Sequence, residues 1–514
     1  MPSTPNPDKP ADDLAKGILP TALQSWHDLF TLRQRIVLDD KGSCAWRDPA
    51  PISNPFALLA GLSLRAWLFF LVGLAAWTAD AFDFHALSVQ TVKLARHFDR
   101  SKTDVSVAIT LTLLLRSVGA VFFGLAGDGW GRKWPMVVNM LVLGALQVAT
   151  IYCASYAQFL AVRSLFGLFM GGVYGNAVAM ALEQCPSDAR GLLSGILQQG
   201  YSIGYILAAG SNLGVGGGVD SWKTVFWIGA GFSIAVGLIR ILLPESQQPR
   251  QANSQSPAMD FWHSTKAMLR REWKMSIYCI LLMTCLNFYS HATQDSYTTF
   301  MLTQKQLDNS GASRASMLMK TGACVGGFIL GHVSQAVGRR RTMVVGALAS
   351  GLMIPAWILP EGERALSATG FMMQFFVQGA WGVIPIHLNE LSPTSFRSTF
   401  PGVVYQLGNM LASPAAQIVN AVAERTHIKV AVGGDEAEVE AYGPVMGVVA
   451  AIVVVGILVI VALGPERHGR SLGEHVHVQE EEEETVTGQD KTGGVVAMTQ
   501  QLEGLKRDAR GSGE

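Results

Sequence analysis

The sequence predicts an all-α integral membrane protein with twelve transmembrane helices in two six-helix halves. Of its 514 residues, 49% are hydrophobic and 15% are charged, whereas soluble proteins average about a quarter charged. Apolar stretches of about 20 residues recur along the chain, and each is long enough to cross roughly 30 Å of hydrocarbon. Motifs of the first half return in the second half at one constant spacing, which indicates a duplicated unit.

These apolar stretches divide the chain into five regions. Residues 1–64 form a polar N-terminal tail without the early apolar core of a signal peptide, and 65–245 hold the first six spans. A cytoplasmic linker covers 246–274, the second six spans occupy 275–464, and 465–514 form an acidic tail. Because the number of spans is even, both tails are expected on one side, the cytoplasmic side of the plasma membrane. The predicted spans are 65–88, 105–127, 134–154, 158–181, 189–212, 222–243, 275–300, 314–335, 342–360, 366–388, 399–422 and 443–464.

The internal repeat is clearest in the loops that follow the second span of each half. A shift of 207 residues places GLAGDGWGRK, from Gly124, on GHVSQAVGRR, from Gly331. Both segments resemble the G-x3-D-R/K-x-G-R-R/K loop of the major facilitator superfamily, although Gly129 replaces the first basic residue and Gln335 replaces the acid. The resemblance implies parallel six-helix halves with a site at their interface. The same shift places Glu183, Pro186 and Arg190 on Glu390, Pro393 and Arg397.

The charged residues of these loops are predicted either to gate the rocking of the halves or to act only as topology anchors. Asp128 is expected to pair with a helix terminus or a basic residue. Arg132, Arg339 and Arg340 are expected to hold the inner face. The sequence does not decide between the two alternatives.

A row of polar side chains interrupts the seventh span. Asn287, Ser290, His291, Gln294 and Asp295 recur at i, i+3, i+4, i+7 and i+8, which puts all five on one face of an α-helix. Ionisable groups in lipid are costly, and they are retained where they face a wet cavity or a partner. The stripe therefore predicts a path or a binding site within the membrane.

Arg116 interrupts the apolar second span at a depth that matches the stripe. At 1.5 Å per residue, Arg116 lies about 17 Å and Asn287 about 18 Å into the membrane. A guanidinium stays charged and can capture a carboxylate bidentately, so an arginine at this depth requires an anion. That anion is either the carboxylate of a substrate or an internal partner, for which Asp80 and Asp83 of the first span are available.

Two sets of residues could carry a proton. His291 and Asp295 are one helical turn apart, and histidine titrates near neutrality. Asp80 and Asp83 are the competing carriers, because a buried carboxyl group can retain its proton at neutral pH. The alternative for His291 is a purely structural, hydrogen-bonded residue.

The polar stripe also matches a family signature. Residues 287–299, NFYSHATQDSYTT, resemble the N-x-x-S/T-H-x-S/T-Q-D-x-x-x-T motif of fungal Jen-type lactate/pyruvate–proton symporters, within the sialate–proton symporter family, at every specified position. NPF at 54–56, WTADAFDF at 77–84 and QGAWGVIPIHLNELSP at 378–393 extend the resemblance over most of the membrane region. The resemblance implies that transport depends on the Asn, His, Gln and Asp of the motif, an Arg of helix 2 and a Gln of helix 11. These residues are Asn287, His291, Gln294, Asp295, Arg116 and Gln406.

The expected function is import of a small monocarboxylate, such as lactate or pyruvate, together with a proton, with acetate and propionate as further substrates. An anion and a proton form a neutral pair, which lowers the cost of crossing a low dielectric. Symport of dicarboxylates or of sugar acids such as sialate, and a non-transporting nutrient sensor, are the alternatives.

The motifs and charges of the sequence also bear on enzymatic activity, cofactors, nucleic acids and protein partners. No phosphate loop, nucleophile elbow or metal-ligand spacing is present, so neither an enzyme nor a metal or cofactor is expected. The formal net charge is zero, and nothing suggests a nucleic acid. The polar tails are expected to be solvated, and ubiquitin ligases could act on their lysines, Lys9, Lys16, Lys491 and Lys506.

Overall fold

The computed structural model describes most of the membrane region and little of the tails. The described residues are 22–31, 34–37, 44–47, 51–100, 102–216, 220–245, 266, 270, 272–393, 396–432 and 435–468. They belong to one unit, Met1–Ser246 together with Ser254–Arg470. The four tail lysines, the acidic tail from 469 onward and almost the whole linker lie outside these residues.

The segment before the first span contains regular elements, although the sequence suggested only a polar tail. Its elements are helix α1 (Ala22–Phe30), the antiparallel strands β1 (Gln34–Val37) and β2 (Cys44–Arg47), and helix α2 (Pro55–Ala60). Helix α2 begins at Pro55 because proline suits the first helical position. The side chain of Asn54 also accepts a hydrogen bond of 2.9 Å from the N–H of Phe56, as a helix N-cap does.

The first half contains the first six predicted spans. Its helices are α3 (Leu64–Val89), α4 (Thr91–His97), α5 (Lys102–Trp130), α6 (Lys133–Ile151), α7 (Tyr156–Met170), α8 (Val173–Glu183), α9 (Arg190–Gln198), α10 (Gly200–Val215) and α11 (Ser221–Leu242). Helix α3 starts after Ser63, whose hydroxyl accepts a hydrogen bond of 3.2 Å from the N–H of Ala66. The fifth predicted span is divided at Gln199, between α9 and α10.

The second half repeats this arrangement. Its elements are α12 (Trp273–Gln294), α13 (Tyr297–Thr303), α14 (Asn309–Val337), α15 (Arg339–Ile358), α16 (Glu363–Gly382), α17 (Ile384–Leu391), α18 (Thr399–Ala412), α19 (Ala415–Ala423), the hairpin β3 (His427–Val432) and β4 (Asp435–Glu440), and α20 (Tyr442–Leu463). Helices α18 and α19 divide the eleventh span at Ser413 and Pro414. A proline in mid-span removes a backbone donor and favours such a break.

Nine helical segments among the described residues are long and apolar enough to cross a membrane. They coincide with nine of the twelve predicted spans. Two of the remaining predictions fall on the divided helices α9–α10 and α18–α19, whose pieces are each shorter than a span. The third falls on α14, which has 29 residues but is less apolar and carries Arg314 and Lys320.

The two halves approach each other closely where α9 of the first half crosses α14 of the second. A Cβ atom at Gly331 would lie 2.7 Å from the Cα of Gly195, and a Cβ at Gly195 would lie 2.1 Å from the carbonyl oxygen of Gly327. Real Cβ contacts are not that short, so only glycine permits this backbone approach. Small residues bring membrane helices together in the same way.

The outer surface is apolar and the interior is rich in polar groups. Leu352 is 83% exposed, and Phe122 and Ile452 are each 66% exposed, whereas Asp80, Asp83 and Arg163 are fully buried. A water-soluble protein of this size would show the opposite distribution. A lipid-facing exterior around a polar internal site accounts for both observations.

Candidate functional site

A small cavity lies between the two halves. It is bordered by α3, α5, α9 and α10 of the first half and by α12, α16 and α18 of the second. It offers about 20 Å³ to the centres of water molecules, and one buried water needs about 10–15 Å³ by that measure. Any organic molecule would therefore require the halves to open. The lining residues are Phe84, Leu113, Arg116, Gln198, Tyr201, Asn287, Ser290, His291, Gln294, Gln378, Trp381, Tyr405 and Asn409.

Arg116 forms part of the cavity wall and is paired internally with Asp80. Its Nη2 atom lies 3.0 Å from Oδ2 of Asp80, and the two side chains are 2% and 1% exposed. Nε of Arg116 and Oδ1 of Asp80 have no hydrogen-bond partner among the described residues. The internal ion pair that the sequence allowed is thus present, and it uses one arm of the guanidinium fork.

The polar stripe of the seventh span faces the cavity with four of its five members. Asn287, Ser290, His291 and Gln294 lie on α12 and line the wall opposite Arg116. Helix α12 ends at Gln294, and Asp295 takes the C-cap position with helical φ and ψ of −69° and −42°. Arg116 and Asn287 therefore line the same cavity, whereas Asp295 is not among the lining residues.

His291 connects the second-half helices around the cavity. Its Nδ1 lies 2.7 Å from Oδ2 of Asp295, and its Nε2 lies 3.3 Å from Oδ1 of Asn409 on α18. Both ring nitrogens face oxygen atoms, an arrangement that suits the protonated imidazolium with its two donors. Asn409 was not singled out from the sequence, although it lies one turn from the predicted Gln406.

Gln406 itself does not line the cavity, contrary to its predicted role. The side chain is fully buried, and neither its Nε2 nor its Oε1 has a hydrogen-bond partner among the described residues. Its backbone carbonyl accepts a hydrogen bond of 3.0 Å from Ser117, the neighbour of Arg116. The rotation of α18 presents Tyr405 and Asn409 to the cavity instead.

Asp83, a predicted proton carrier, lies away from the cavity within the first half. Its two carboxylate oxygens accept hydrogen bonds of 2.8 Å from Gln147 and 2.7 Å from Ser233. Gln147 in turn accepts one of 2.8 Å from Arg163. Asp83 is therefore held in a closed network among α3, α6, α7 and α11, whereas Asp80 on the same helix faces Arg116.

Lys320 is a buried cation that the sequence analysis overlooked. It lies on α14 with 3% exposure, and its Nζ donates a hydrogen bond to Oε1 of Gln294. The rings of Tyr205 and Tyr201 lie 5.0 Å and 5.8 Å from the same Nζ. The rule applied to Arg116, a cation inside an apolar span, would have found Lys320 as well.

Contacts between the halves close one end of the bundle. This end is called the basic face, because it carries Arg132, Arg339, Arg340 and Arg341. Asp128 accepts hydrogen bonds from the N–H groups of Ser398 (2.9 Å) and Thr399 (2.7 Å), and from the Thr399 hydroxyl (2.7 Å). The carboxylate thus lies at the N-terminus of α18, where the helix dipole favours an anion. Arg132 pairs with Glu183 and donates a 2.8 Å hydrogen bond to the hydroxyl of Ser398.

The corresponding residues of the second half make different contacts. Arg339 donates to both carboxylate oxygens of Glu390 at 3.0 and 3.1 Å, and Gln335 donates to the carbonyl of Ser187 across the interface at 3.1 Å. Arg340, a predicted gating residue, points away from that interface. It donates to carbonyl oxygens of Val461 and Ala462 at the end of α20 and of Ser25 in α1, so it holds the N-terminal segment instead.

Exposure differs between the two ends of the bundle. The side chains of Asp128 and Arg132 are 1% and 2% exposed, whereas those of His291 and Asp295 are 14% and 36% exposed. The structure is therefore closed at the basic face and more open at the opposite end, near the C-terminus of α12.

Known proteins match this chain over its membrane region. The family model described as Major Facilitator Superfamily matches residues 65–419. The carboxylic acid transporter protein homolog of Saccharomyces cerevisiae is 32% identical over 444 residues, which are 82% of this chain and 72% of that protein. The sialic acid transporter NanX of Escherichia coli is 26% identical over 345 residues, 65% of this chain and 82% of that protein.

A solved structure supports the same fold. The proton:xylose symporter XylE, bound to 6-bromo-6-deoxy-D-glucose, superposes with a TM-score of 0.64 at 13% identity, covering 79% of this chain and 98% of that one. The resemblance to fungal carboxylate symporters noted from residues 287–299 is confirmed by the yeast relative. This chain is accordingly a multi-pass membrane transporter and not an enzyme, and it belongs to the Major Facilitator Superfamily.

Proposed function

We propose that the protein is a proton-coupled symporter that imports small monocarboxylates such as lactate and pyruvate, with acetate and propionate as further substrates. The observation that carries the proposal is Arg116, a buried guanidinium on the wall of a cavity whose opposite wall consists of amide, hydroxyl and imidazole groups. The name of the yeast relative, a carboxylic acid transporter homolog, supports the same substrate class.

Substrate binding is an exchange of anions on Arg116. In the present state Asp80 occupies one arm of the guanidinium. A substrate carboxylate that enters the cavity competes for this cation and can use two arms, which suits the planar fork of arginine. The groups of α12 then orient the remainder of a small molecule: Asn287 and Gln294 through their amides, and His291 through its ring.

Proton coupling follows because a substrate carboxylate that binds Arg116 leaves the carboxylate of Asp80 without its cation. Asp80 is fully buried, and a buried carboxylate without its cation is costly, by about 3–5 kcal/mol. Uptake of a proton by Asp80 removes that cost, so binding of the anion and of the proton favour each other. The His291–Asp295 pair, which lies nearer the open end, is the second candidate carrier and can deliver the proton from outside.

Transport requires the closed end to open. The Asp128 contacts with the N-terminus of α18 and the Arg132 hydrogen bond to Ser398 hold the basic face shut, and Glu183 of the first half positions Arg132 for that bond. Rocking of the halves would break the contacts across the interface and release substrate and proton at that face. We assign this face, and with it both chain termini, to the cytoplasmic side of the plasma membrane.

Uptake of labelled lactate into liposomes that contain the purified protein tests the function directly. Uptake is expected to rise when the exterior is made more acidic than the interior. The control is the same gradient collapsed by a protonophore. Lactate uptake that ignores the gradient would refute proton coupling, and absence of uptake for every small carboxylate would refute the substrate class.

Transport of sugar acids is the second candidate, because the bacterial relative NanX is named a sialic acid transporter. Competition of lactate uptake by sialate, malate and succinate separates these classes. The cavity must enlarge more for a sugar acid than for lactate, so weak competition by sialate is expected. A nutrient sensor would instead give growth signalling without measurable flux.

Regulated removal from the plasma membrane through ubiquitin on the tails remains a separate proposal. Its acceptors would be Lys9, Lys16, Lys491 and Lys506. A variant that lacks all four lysines is expected to persist at the cell surface longer than the unmodified protein. Equal lifetimes would contradict this role.

A further inference from the structure

Lys320 is a buried cation close to the cavity that the proposed mechanism does not use. It lies within α14 and makes no ion pair with a carboxylate in the described part of the chain, in contrast to Arg116, Arg132 and Arg339. In the described part of the chain, its ammonium group donates to the amide oxygen of Gln294, lies near the rings of Tyr201 and Tyr205, and interacts electrostatically with Asp295. A charge inside a membrane domain is expensive, so a lysine at this position indicates a function.

The contact with Gln294 fixes the orientation of that amide. An ammonium group has three donors and no acceptor, so it binds the oxygen of the amide and not its nitrogen. The oxygen and the nitrogen of an amide group point in different directions. Because Oε1 of Gln294 is directed to Lys320, its N–H groups point away from Lys320. Gln294 lies on the cavity wall, so an amide held in this orientation can present its hydrogen-bond donors to an occupant of the cavity.

We propose that Lys320 is a positioning residue for a carboxylate substrate. It holds Gln294 with its N–H groups toward the cavity and adds positive charge behind that wall, so that an anion is bound between Arg116 on one side and Gln294 on the other. The inference rests on the proposed carboxylate transport and deepens it. It implies discrimination between an anion and a neutral molecule of the same shape, for example between lactate and lactamide.

The role can be tested with Lys320→Met, which keeps an unbranched apolar side chain of nearly the same length but removes the donors, the charge and the cation–π contacts with Tyr201 and Tyr205. Uptake kinetics of lactate in liposomes are expected to show KM raised about tenfold or more, the effect of one charge-assisted hydrogen bond, with the maximal rate changed much less. Lys320→Arg keeps a donor and is expected to retain most of the affinity. Lys305→Met is the matched control, because Lys305 follows α13, donates to the carbonyl of Leu359, lies 5.8 Å from the ring of Phe300 and is not a cavity-lining residue.

The dependence on Gln294 is tested by combining substitutions. If Lys320 acts through the amide, Lys320→Met should add little to KM in a Gln294→Leu background. Full additivity, or a fall in maximal rate with unchanged KM, would overturn the inference.

A variant that retains Lys320 keeps the inference testable if the Lys320 variants do not fold. Gln294→Glu retains Lys320, offers it an acceptor and removes the amide donors, so it should also raise the KM for lactate. A normal KM for Gln294→Glu would overturn the inference even if the Lys320 variants did not fold. A wild-type protein that transports no carboxylate would instead refute the proposed function, whereas normal wild-type transport with an unaffected Lys320→Met variant would refute the inference alone.

Discussion

The Arg116–Asp80 pair allows the structural and functional demands on one site to be separated. Arg116→Met removes the cation and leaves Asp80 fully buried beside an apolar side chain. Breaking a buried ion pair from one side costs about 3–5 kcal/mol, because the remaining charge is uncompensated. We therefore expect Arg116→Met to lower the Tm of the detergent-solubilised protein clearly and to abolish lactate uptake.

The double variant Arg116→Met, Asp80→Asn provides the decisive comparison. It removes both charges, and replacing a buried pair by neutral groups of similar volume is close to neutral for stability. Its Tm should return to near that of the wild-type protein. Uptake should stay absent, because the cation that receives the carboxylate is still missing.

Thermal unfolding followed by intrinsic fluorescence, with uptake measured on the same preparations, checks both expectations. Arg116→Lys completes the series: it keeps the charge but loses the fork, so we expect a stable protein with KM raised about tenfold or more. Normal transport by Arg116→Lys would refute bidentate capture. Transport by the double variant would refute any role of Arg116 in binding the substrate.

The remaining predictions concern the gate, the histidine and the N-terminal segment. Asp128→Asn keeps the shape of the side chain but loses the charged acceptor at the N-terminus of α18, which weakens closure of the basic face by about 1.5–3 kcal/mol. Distances between spin labels on the two halves at that face should therefore shift to longer values. Unchanged distances would count against a gating role of Asp128. His291→Gln keeps hydrogen-bonding capacity without a titratable ring, so the dependence of uptake on external pH should flatten, and an unaltered profile would leave Asp80 as the carrier. Arg341→Ala removes the donors to the carbonyls of Asp28 and Leu29, so limited proteolysis within the N-terminal segment should accelerate, with Arg364→Ala, at the start of α16, as a control.

The sequence allowed the helices to be located and their depths to be compared. Every predicted span falls on a helix or on a divided helix, because a length of apolar sequence is directly readable. The common depth of Arg116 and Asn287 follows from counting residues at a fixed rise. Depth along an axis is a local property, and Arg116 and Asn287, which are predicted at one depth, line the same cavity.

The rotation of a helix about its axis is set by packing against neighbouring helices. The sequence was therefore insufficient to predict which side chains of a helix face the cavity. Gln406 and Asn409 are three residues apart on α18, a difference of about 60° around the helix, and only Asn409 reaches the cavity. On α3, Asp80 pairs with Arg116 of the cavity wall, whereas Asp83 is bonded to Gln147 and Ser233 within the first half. Which neighbours each side chain meets depends on the crossing of neighbouring helices, which no single segment encodes.

The N-terminal segment has a mechanical consequence for the proposed motion. Arg340 and Arg341 bind carbonyls of α1, and His332 on α14 lies 2.9 Å from the carbonyl of Ser53. The segment is thus fastened to the second half before it enters the first half at Leu64. The chain joins the two halves twice, through the linker and through this strap. While these bonds persist, the stretch from Ser53 to Leu64 must absorb the whole displacement between the halves, so its length limits how far the basic face can open.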